Sequence, residues 1–201
     1  MAYNFQTPRV TRNLLIINIM MFVATLIGEK PMMTWFALWP VVSHNFHVWQ
    51  LVTHMFMHGG FWHIFFNMYA LFIFGSVVER IIGERKFLIF YFTCGLGAAA
   101  LHLLVQYLTG SYAPTVGASG AIYGVLIAYA MLFPDSRLTL IFPPISLKAR
   151  TWVIIFAAIE LFTGVVGTVD GVAHFAHLGG MLFGWLMITL WRKKGTLFDR
   201  D

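Results

Sequence analysis

Charge is scarce in this chain. Of 201 residues only 10% are Asp, Glu, Lys or Arg, while 59% are hydrophobic. A soluble domain carries roughly 25% charged residues. With a mean hydropathy of +0.77, too little polar surface is left to cover a water-soluble globule of this size, and the bilayer is the expected solvent. Cysteine is nearly missing too. Cys94 is alone, so an intramolecular disulfide is excluded and the redox compartment is left unmarked. Low-complexity segments, convincing internal repeats and a linker long enough to separate domains are all lacking. One membrane domain over residues 1–201 is expected.

Aromatic residues are abundant by contrast. The 20 Phe and 7 Trp suit lipid contact and interfacial belts. Apolar runs lie near residues 14–27, 61–78, 87–108, 119–133, 152–169 and 173–191, which predicts an all-α, polytopic bundle of six transmembrane helices. A span needs roughly 20 residues, so the first and fourth runs are short. The fourth follows a Gly-rich loop, and non-helical backbone at membrane depth is tolerated only where protein or a water-filled cavity surrounds it. The first run, with Arg9 and Arg12 ahead of it, also has the length of a signal peptide. No small-x-small cleavage site follows in Thr25-Leu26-Ile27-Gly28-Glu29, and a span is the better reading.

Lys and Arg favour the cytoplasmic side in short loops. With the N-terminus inside and six spans threaded, 12 of the 13 basic residues fall inside and only Lys30 outside. The net charge of +5 then reads as a topology signal and as attraction to the cytoplasmic leaflet, with no need for nucleic acid. The loop at 28–60 carries Trp35, Phe36, Trp39, Phe46 and Trp49, which suits the outer interface.

Polar side chains inside spans are costly and are functional candidates. Here they gather in three places: His54, His58, His63 and Asn67 around the start of the second span, Gly117-Ala118-Ser119-Gly120 at the start of the fourth, and His174 and His177 at the start of the sixth. Spans two, four and six all run from outside to inside, so the three clusters share one depth. Gly120-x-x-x-Gly124 and Gly180-x-x-x-Gly184 let helix backbones approach closely. A serine hydroxyl becomes a nucleophile when a neighbouring imidazole takes its proton. Ser119 opens a helix, where unpaired N–H groups and the dipole favour an oxyanion. His63 and Asn67, at i and i+4, share a helix face from which both donate to the same oxyanion. Glu160 in the fifth span and Asp170 at its outer end, near His174, are not placed to complete a Ser-His-Asp set. A Ser119–His177 dyad is expected, with Tyr123 as a ring against which His177 packs.

The run His58-Gly-Gly-Phe-Trp-His63-Ile-Phe-Phe-Asn67 resembles the rhomboid pattern H-x-x-x-x-H-x-x-x-N. Gly117-Ala118-Ser119-Gly120 resembles the family's G-x-S-G motif, and Ala176-His177-Leu-Gly-Gly180-x-x-x-Gly184 its A-H-x-x-G-x-x-x-G motif. The three occur in order, on alternate spans, and the similarity runs from about Trp49 to Gly184. The resemblance implies an intramembrane serine endopeptidase acting on single-span membrane proteins near the membrane surface. It implies Ser119 as nucleophile, His177 as base, and His63, Asn67 and the Ser119 N–H as oxyanion hole, supported by Gly117, His58, Tyr123 and Gly180. No cofactor and no metal are expected. Glu79 resembles a family position that secures the inner end of the second span. One departure is Trp49-Gln50, where many members carry Trp-Arg, which puts the rigidity of the first loop in question.

Bland readings compete with these. A Ser at a helix start is most often an N-cap, and His44, His47, His54 and His102 are read as packing residues. Glu160 is expected to be paired in the bundle or close to an aqueous edge. An intramembrane metalloprotease is disfavoured because His54-Met-Phe-Met-His58 lacks the Glu base of H-E-x-x-H. A non-catalytic rhomboid-like binding or trafficking factor would be expected to lose Ser119 or His177. A His-lined transporter would show inverted repeats or broken helices in corresponding halves. The expected setting is a multi-pass protein of the bacterial inner membrane with both termini cytoplasmic. A reporter fused after residues 192–194 should therefore read cytoplasmic; one that reads external overturns this threading.

Overall fold

Residues 6–139, 144–166 and 171–199 are described by the structure, a computed structural model. The apolar runs form helices in the expected order, with shifted ends. α1 covers Arg9–Ile27, α2 Glu29–Phe36 and α3 Gln50–Thr53, the last continued by a 3-10 turn at His54–Phe56. The second span comprises α4 (Phe61–Ala70) and α5 (Ser76–Ile82), joined through one π turn at Leu71–Gly75. Then come α6 (Glu84–Thr109), α7 (Ser119–Leu132), α8 (Ala149–Val166) and α9 (Gly171–Lys193). Among the described residues five helical stretches are long and apolar enough to cross a membrane, and α7 is a shorter apolar sixth. The fold is all-α apart from a small antiparallel hairpin of β1 (Arg137–Thr139) and β2 (Ser146–Lys148) between α7 and α8.

The first span begins five residues before its apolar run because its polar end is satisfied. Pro8 precedes α1 and offers no side-chain cap. The Glu79 carboxylate of α5 fills that role: it accepts from Val10 N at 2.9 Å, Thr11 N at 2.7 Å and Thr11 Oγ1 at 2.6 Å. The first N–H groups of a helix lack intrahelical partners and favour a negative charge. Glu79, only 2% exposed, thus ties the inner end of the second span to the start of the first. The fifth run, expected at 152–169, starts earlier at Ala149; residues 167–170, Asp170 among them, lie outside the described residues.

The first loop is cross-linked despite lacking an arginine. Gln50 is fully buried. Its Oε1 accepts from Trp39 N at 3.3 Å and His47 N at 3.2 Å. Its Nε2 lies within donating distance of the carbonyls of Asn45 at 2.8 Å, Thr34 at 3.2 Å and Trp35 at 3.4 Å. One amide, both donor and acceptor, bridges segments that a guanidinium could reach only as a donor. The doubt about loop rigidity raised by Trp49-Gln50 is corrected accordingly. Outside this rivet, His47 stacks between Trp35 and Trp49, with centroids at 5.3 and 4.2 Å.

α7 is 14 residues long, roughly 21 Å at 1.5 Å per residue, against a hydrocarbon core of about 30 Å. The segment feeding it must therefore lie inside the protein, and it is anchored there. Leu38 and Thr115 exchange two backbone hydrogen bonds of 2.9 Å, and Gly117 N donates to the His54 carbonyl at 2.9 Å. Ser119 is consequently positioned by the first loop as much as by its own helix.

Small residues let α6, α7 and α9 pack at backbone distance. A Cβ on Gly180 would collide with the carbonyl of Gly120, and one on Gly184 would meet the Gly124 backbone at 2.9 Å. On the other side of α7, a Cβ on Gly120 would strike Ala98 of α6. Neither obstacle to Gly180 or Gly184 is a side chain that can swing away. Gly180→Ala is expected to force α7 and α9 apart at a cost of about 1–3 kcal/mol, seen as a lower Tm in detergent, and to open the Ser119–His177 pair one turn away. An unchanged Tm would show that the helices do not depend on this approach.

Candidate active site

Ser119 is the first residue of α7, and the N-cap position belongs to Ala118, which makes no side-chain cap. The Ser119 hydroxyl is therefore free of capping duty. It faces α9, where His177 Nε2 lies 2.8 Å from Ser119 Oγ. The Tyr123 ring, one turn further along α7, stacks on the His177 ring with centroids 4.4 Å apart and planes 12° from parallel. The imidazole is held by its face and by its inner nitrogen at once.

Around this pair is a cavity of about 180 Å³, lined by His54, His63, His102, Gly117, Ser119 and His177 among others. Gly117 adopts a φ of +136°, and a Cβ there would stand 2.9 Å from His63 Nε2 and 3.4 Å from Ser119 Oγ. Glycine is needed both for the backbone conformation and to keep that corner open. Asn67 is not on the cavity wall. It sits one turn below His63 on α4, buried, with its Nδ2 lacking a partner. His58 also stays off the wall: it is 1% exposed, neither ring nitrogen is paired, and the ring packs edge-on against His63 at 5.0 Å. Gly180 contributes through the close approach to Gly120 described above.

One expectation about acidic partners is corrected, that Glu160 is not placed beside the histidines. Asp170, expected near His174, lies outside the described residues; His174 is paired with Glu160, its Nδ1 lying 2.5 Å from Oε2. Glu160, 6% exposed, also stands 3.0 Å from His177 Nδ1 through the same oxygen. That approach is short but lies off the line of the ring N–H, and it makes no well-directed hydrogen bond. The hydroxyl of Tyr123 donates to Oε1 at 2.5 Å. An acid is thus placed beside the histidine, contrary to the expectation of a bare dyad. The sequence held one signal for it, a carboxylate in the middle of an apolar helix, but nothing in the spacing of α8 and α9 tied it to His177.

Glu160, His174 and His177 also form a group of metal-type donors. Their atoms stand at 2.5 and 3.0 Å across the carboxylate. Donors around a tetrahedral zinc at about 2.0–2.1 Å are roughly 3.3 Å from each other. The spacing is that of groups in direct contact.

His54 and His58 lie outside the spans, and burial pushes both below the usual histidine range, His54 to about 4 and His58 to about 3. Nearby His102 adds to this at His54, and His63 at His58. Both are folded in neutral form, while in the unfolded chain they protonate near 6.5. Between those values the unfolded state binds more protons, so the stability they confer is complete above about pH 6.5 and is lost as pH falls towards 4 for His54 and towards 3 for His58. Tm should therefore drop over that window, and His54→Gln should flatten the drop. An equal slope in the variant would place the acid sensitivity elsewhere.

Comparison with known proteins places this geometry in context. Residues 45–194 match a family model described as the Rhomboid domain. The chain is 33% identical over 148 residues to the presenilin-associated rhomboid-like protein, mitochondrial, of Bos taurus, covering 71% of this chain and 39% of that protein. It is 30% identical over 143 residues to rhomboid protein 1, mitochondrial, of Saccharomyces cerevisiae, covering 68% and 41%. It is 32% identical over 158 residues to RHOMBOID-like protein 1 of Arabidopsis thaliana, covering 73% and 35%. The matched region spans about two fifths of the length of such relatives. Two of these names place their proteins in mitochondria, which runs against the expected bacterial inner membrane and leaves a multi-pass membrane protein as the supported setting.

Proposed function

The chain belongs to the rhomboid family, and on that premise we propose that it is a serine-type intramembrane endopeptidase with Ser119 as nucleophile and His177 as general base. The observation that carries this reading is the 2.8 Å approach of His177 Nε2 to Ser119 Oγ inside an open cavity. Ser119 gives its proton to Nε2 as Oγ attacks the scissile carbonyl. The same proton then passes to the leaving amine, and water hydrolyses the acyl ester by the reverse steps. The oxyanion is met by the Ser119 N–H, by His63 and by Asn67, whose buried and unpaired Nδ2 is a donor awaiting an acceptor.

Substrates are single-span membrane proteins cut near the outer face, with both termini of the enzyme on the inner side. A helix hides its carbonyls in intrahelical bonds, so a scissile segment rich in Gly or other weak helix formers is favoured. Against the reading as a non-catalytic binding or trafficking factor stands the presence of both Ser119 and His177, 2.8 Å apart.

The test is a panel of reconstituted single-span substrates, with labelling by a serine-directed fluorophosphonate. Wild type should cleave and label, and Ser119→Ala and His177→Ala should do neither. Asn67→Ala should lose about 10²–10³-fold in kcat with little change in KM. Labelling that survives in Ser119→Ala removes Ser119 as nucleophile, and full turnover in folded Asn67→Ala removes Asn67 from the oxyanion hole.

A further inference from the structure

Glu160 is the least expected group in the bundle. From Trp152 to Leu161 every residue of α8 but Glu160 is apolar, and Ile154, Leu161 and Phe162 turn outward, each at least half exposed. A carboxylate buried on such a helix is costly unless it is satisfied. Here three groups converge on it. The Tyr123 hydroxyl takes Oε1, while His174 Nδ1 and His177 Nδ1 share Oε2. The same Tyr123 ring stacks on His177, and the far nitrogen of His177 meets Ser119. Carboxylate, imidazole and hydroxyl therefore stand in sequence across α8, α9 and α7, the carboxylate 3.0 Å from Nδ1 without a well-directed hydrogen bond and Nε2 2.8 Å from the hydroxyl.

We infer that Glu160 is a positioning residue for His177, turning the Ser–His pair into a Ser–His–Glu relay; this rests on the serine-protease reading above. A base can take the Ser119 proton at Nε2 only when its own proton sits on Nδ1. A carboxylate beside Nδ1 selects that tautomer and stabilises the imidazolium formed when the Oγ–H bond breaks. Glu160 stays ionised throughout: the proton moves from Ser119 to His177 and on to the leaving amine, never to the carboxylate. Tyr123 serves twice, with its ring fixing the plane of the imidazole and its hydroxyl fixing the carboxylate. His174 anchors the shared oxygen from one turn above and has no path of its own to Ser119, which His177 occupies. A purely structural role would use the same contacts to pin α7, α8 and α9 together, but it would depend on shape and hydrogen bonding rather than on charge.

That difference sets the experiment. Full-length protein is reconstituted, its folding followed by thermal melt, and kcat and KM are measured on a cleaved single-span substrate. Glu160→Gln keeps the shape and removes the charge. It should lower kcat by about 10⁴-fold, the loss seen when the acid of such a relay is neutralised, with KM within about threefold. Glu160→Asp keeps the charge and should retain more activity than Glu160→Gln. If Glu160→Gln fails to fold, Tyr123→Phe gives the second reading: the stacked ring remains, the anchor on Oε1 goes, and kcat should fall roughly tenfold at unchanged KM. Glu160→Gln with normal kcat, Glu160→Asp less active than Glu160→Gln, or Tyr123→Phe with unchanged kcat would each overturn the relay. So would stoichiometric divalent metal that is bound by wild type and lost in Glu160→Gln. A wild type that neither cleaves nor labels at Ser119 would instead refute the protease reading itself, whereas an active wild type with an indifferent Glu160→Gln refutes the relay alone.

Discussion

Everything at the site depends on the approach of α7 to α9 at backbone distance. In lipid there is no hydrophobic gain from burying one apolar helix against another, so association rests on packing and on polar contacts. Gly180 on the Gly120 carbonyl and Gly184 on the Gly124 backbone bring the two axes closer than any side chain would allow. Ser has a short side chain, and His177 must cross the remaining gap to reach its hydroxyl. Had either glycine carried even a methyl group, the 2.8 Å separation could be kept only by distorting a helix. The glycines are therefore integral to the Ser119–His177 geometry, although they add no side-chain atom to it.

The second constraint is that the polar groups act as rivets in places where burial alone would not specify a position. Glu79 binds the first N–H groups of α1, Gln50 ties together the segments of the first loop, and Glu160 joins α7, α8 and α9. Each is nearly excluded from solvent, and each is satisfied by several donors or acceptors. Low local dielectric makes an unmet polar group expensive and a met one strong. Such groups fix the register of helices whose apolar faces would tolerate sliding.

Much of this is legible in the sequence, for identifiable reasons. Long apolar runs mark spans because the bilayer sets their length. Ser119, His63 and His177 stand out because polar residues at one depth are conspicuous against lipid-facing side chains. The ends of the spans are less legible. α1 starts at Arg9 only because a carboxylate 70 residues further on caps it, and such long-range capping leaves no local pattern. Gln50 is misjudged when an amide is compared with a guanidinium by charge, because its buried position uses an acceptor that a guanidinium lacks. Glu160 is conspicuous in the sequence but unconnected there. Helix-to-helix rotation decides which face of α8 meets α9, and no spacing within either helix encodes it.

The remaining question is why this cluster of histidines can exist inside a membrane protein at all. An imidazole is a useful base only when neutral, and burial favours the neutral form. The apolar surroundings that make polar residues costly therefore hold His54, at the cavity wall, and His58, behind His63, uncharged. A base, however, must also become charged for an instant during the reaction, and burial opposes that step. In the proposed relay a fixed carboxylate resolves the conflict, because it stabilises the imidazolium without water having to reorganise around it. Placing that carboxylate on α8 rather than on α7 or α9 leaves the cavity side of His177 open. On the proposed reading, the charge then lies behind the base, on the side of His177 away from the cavity.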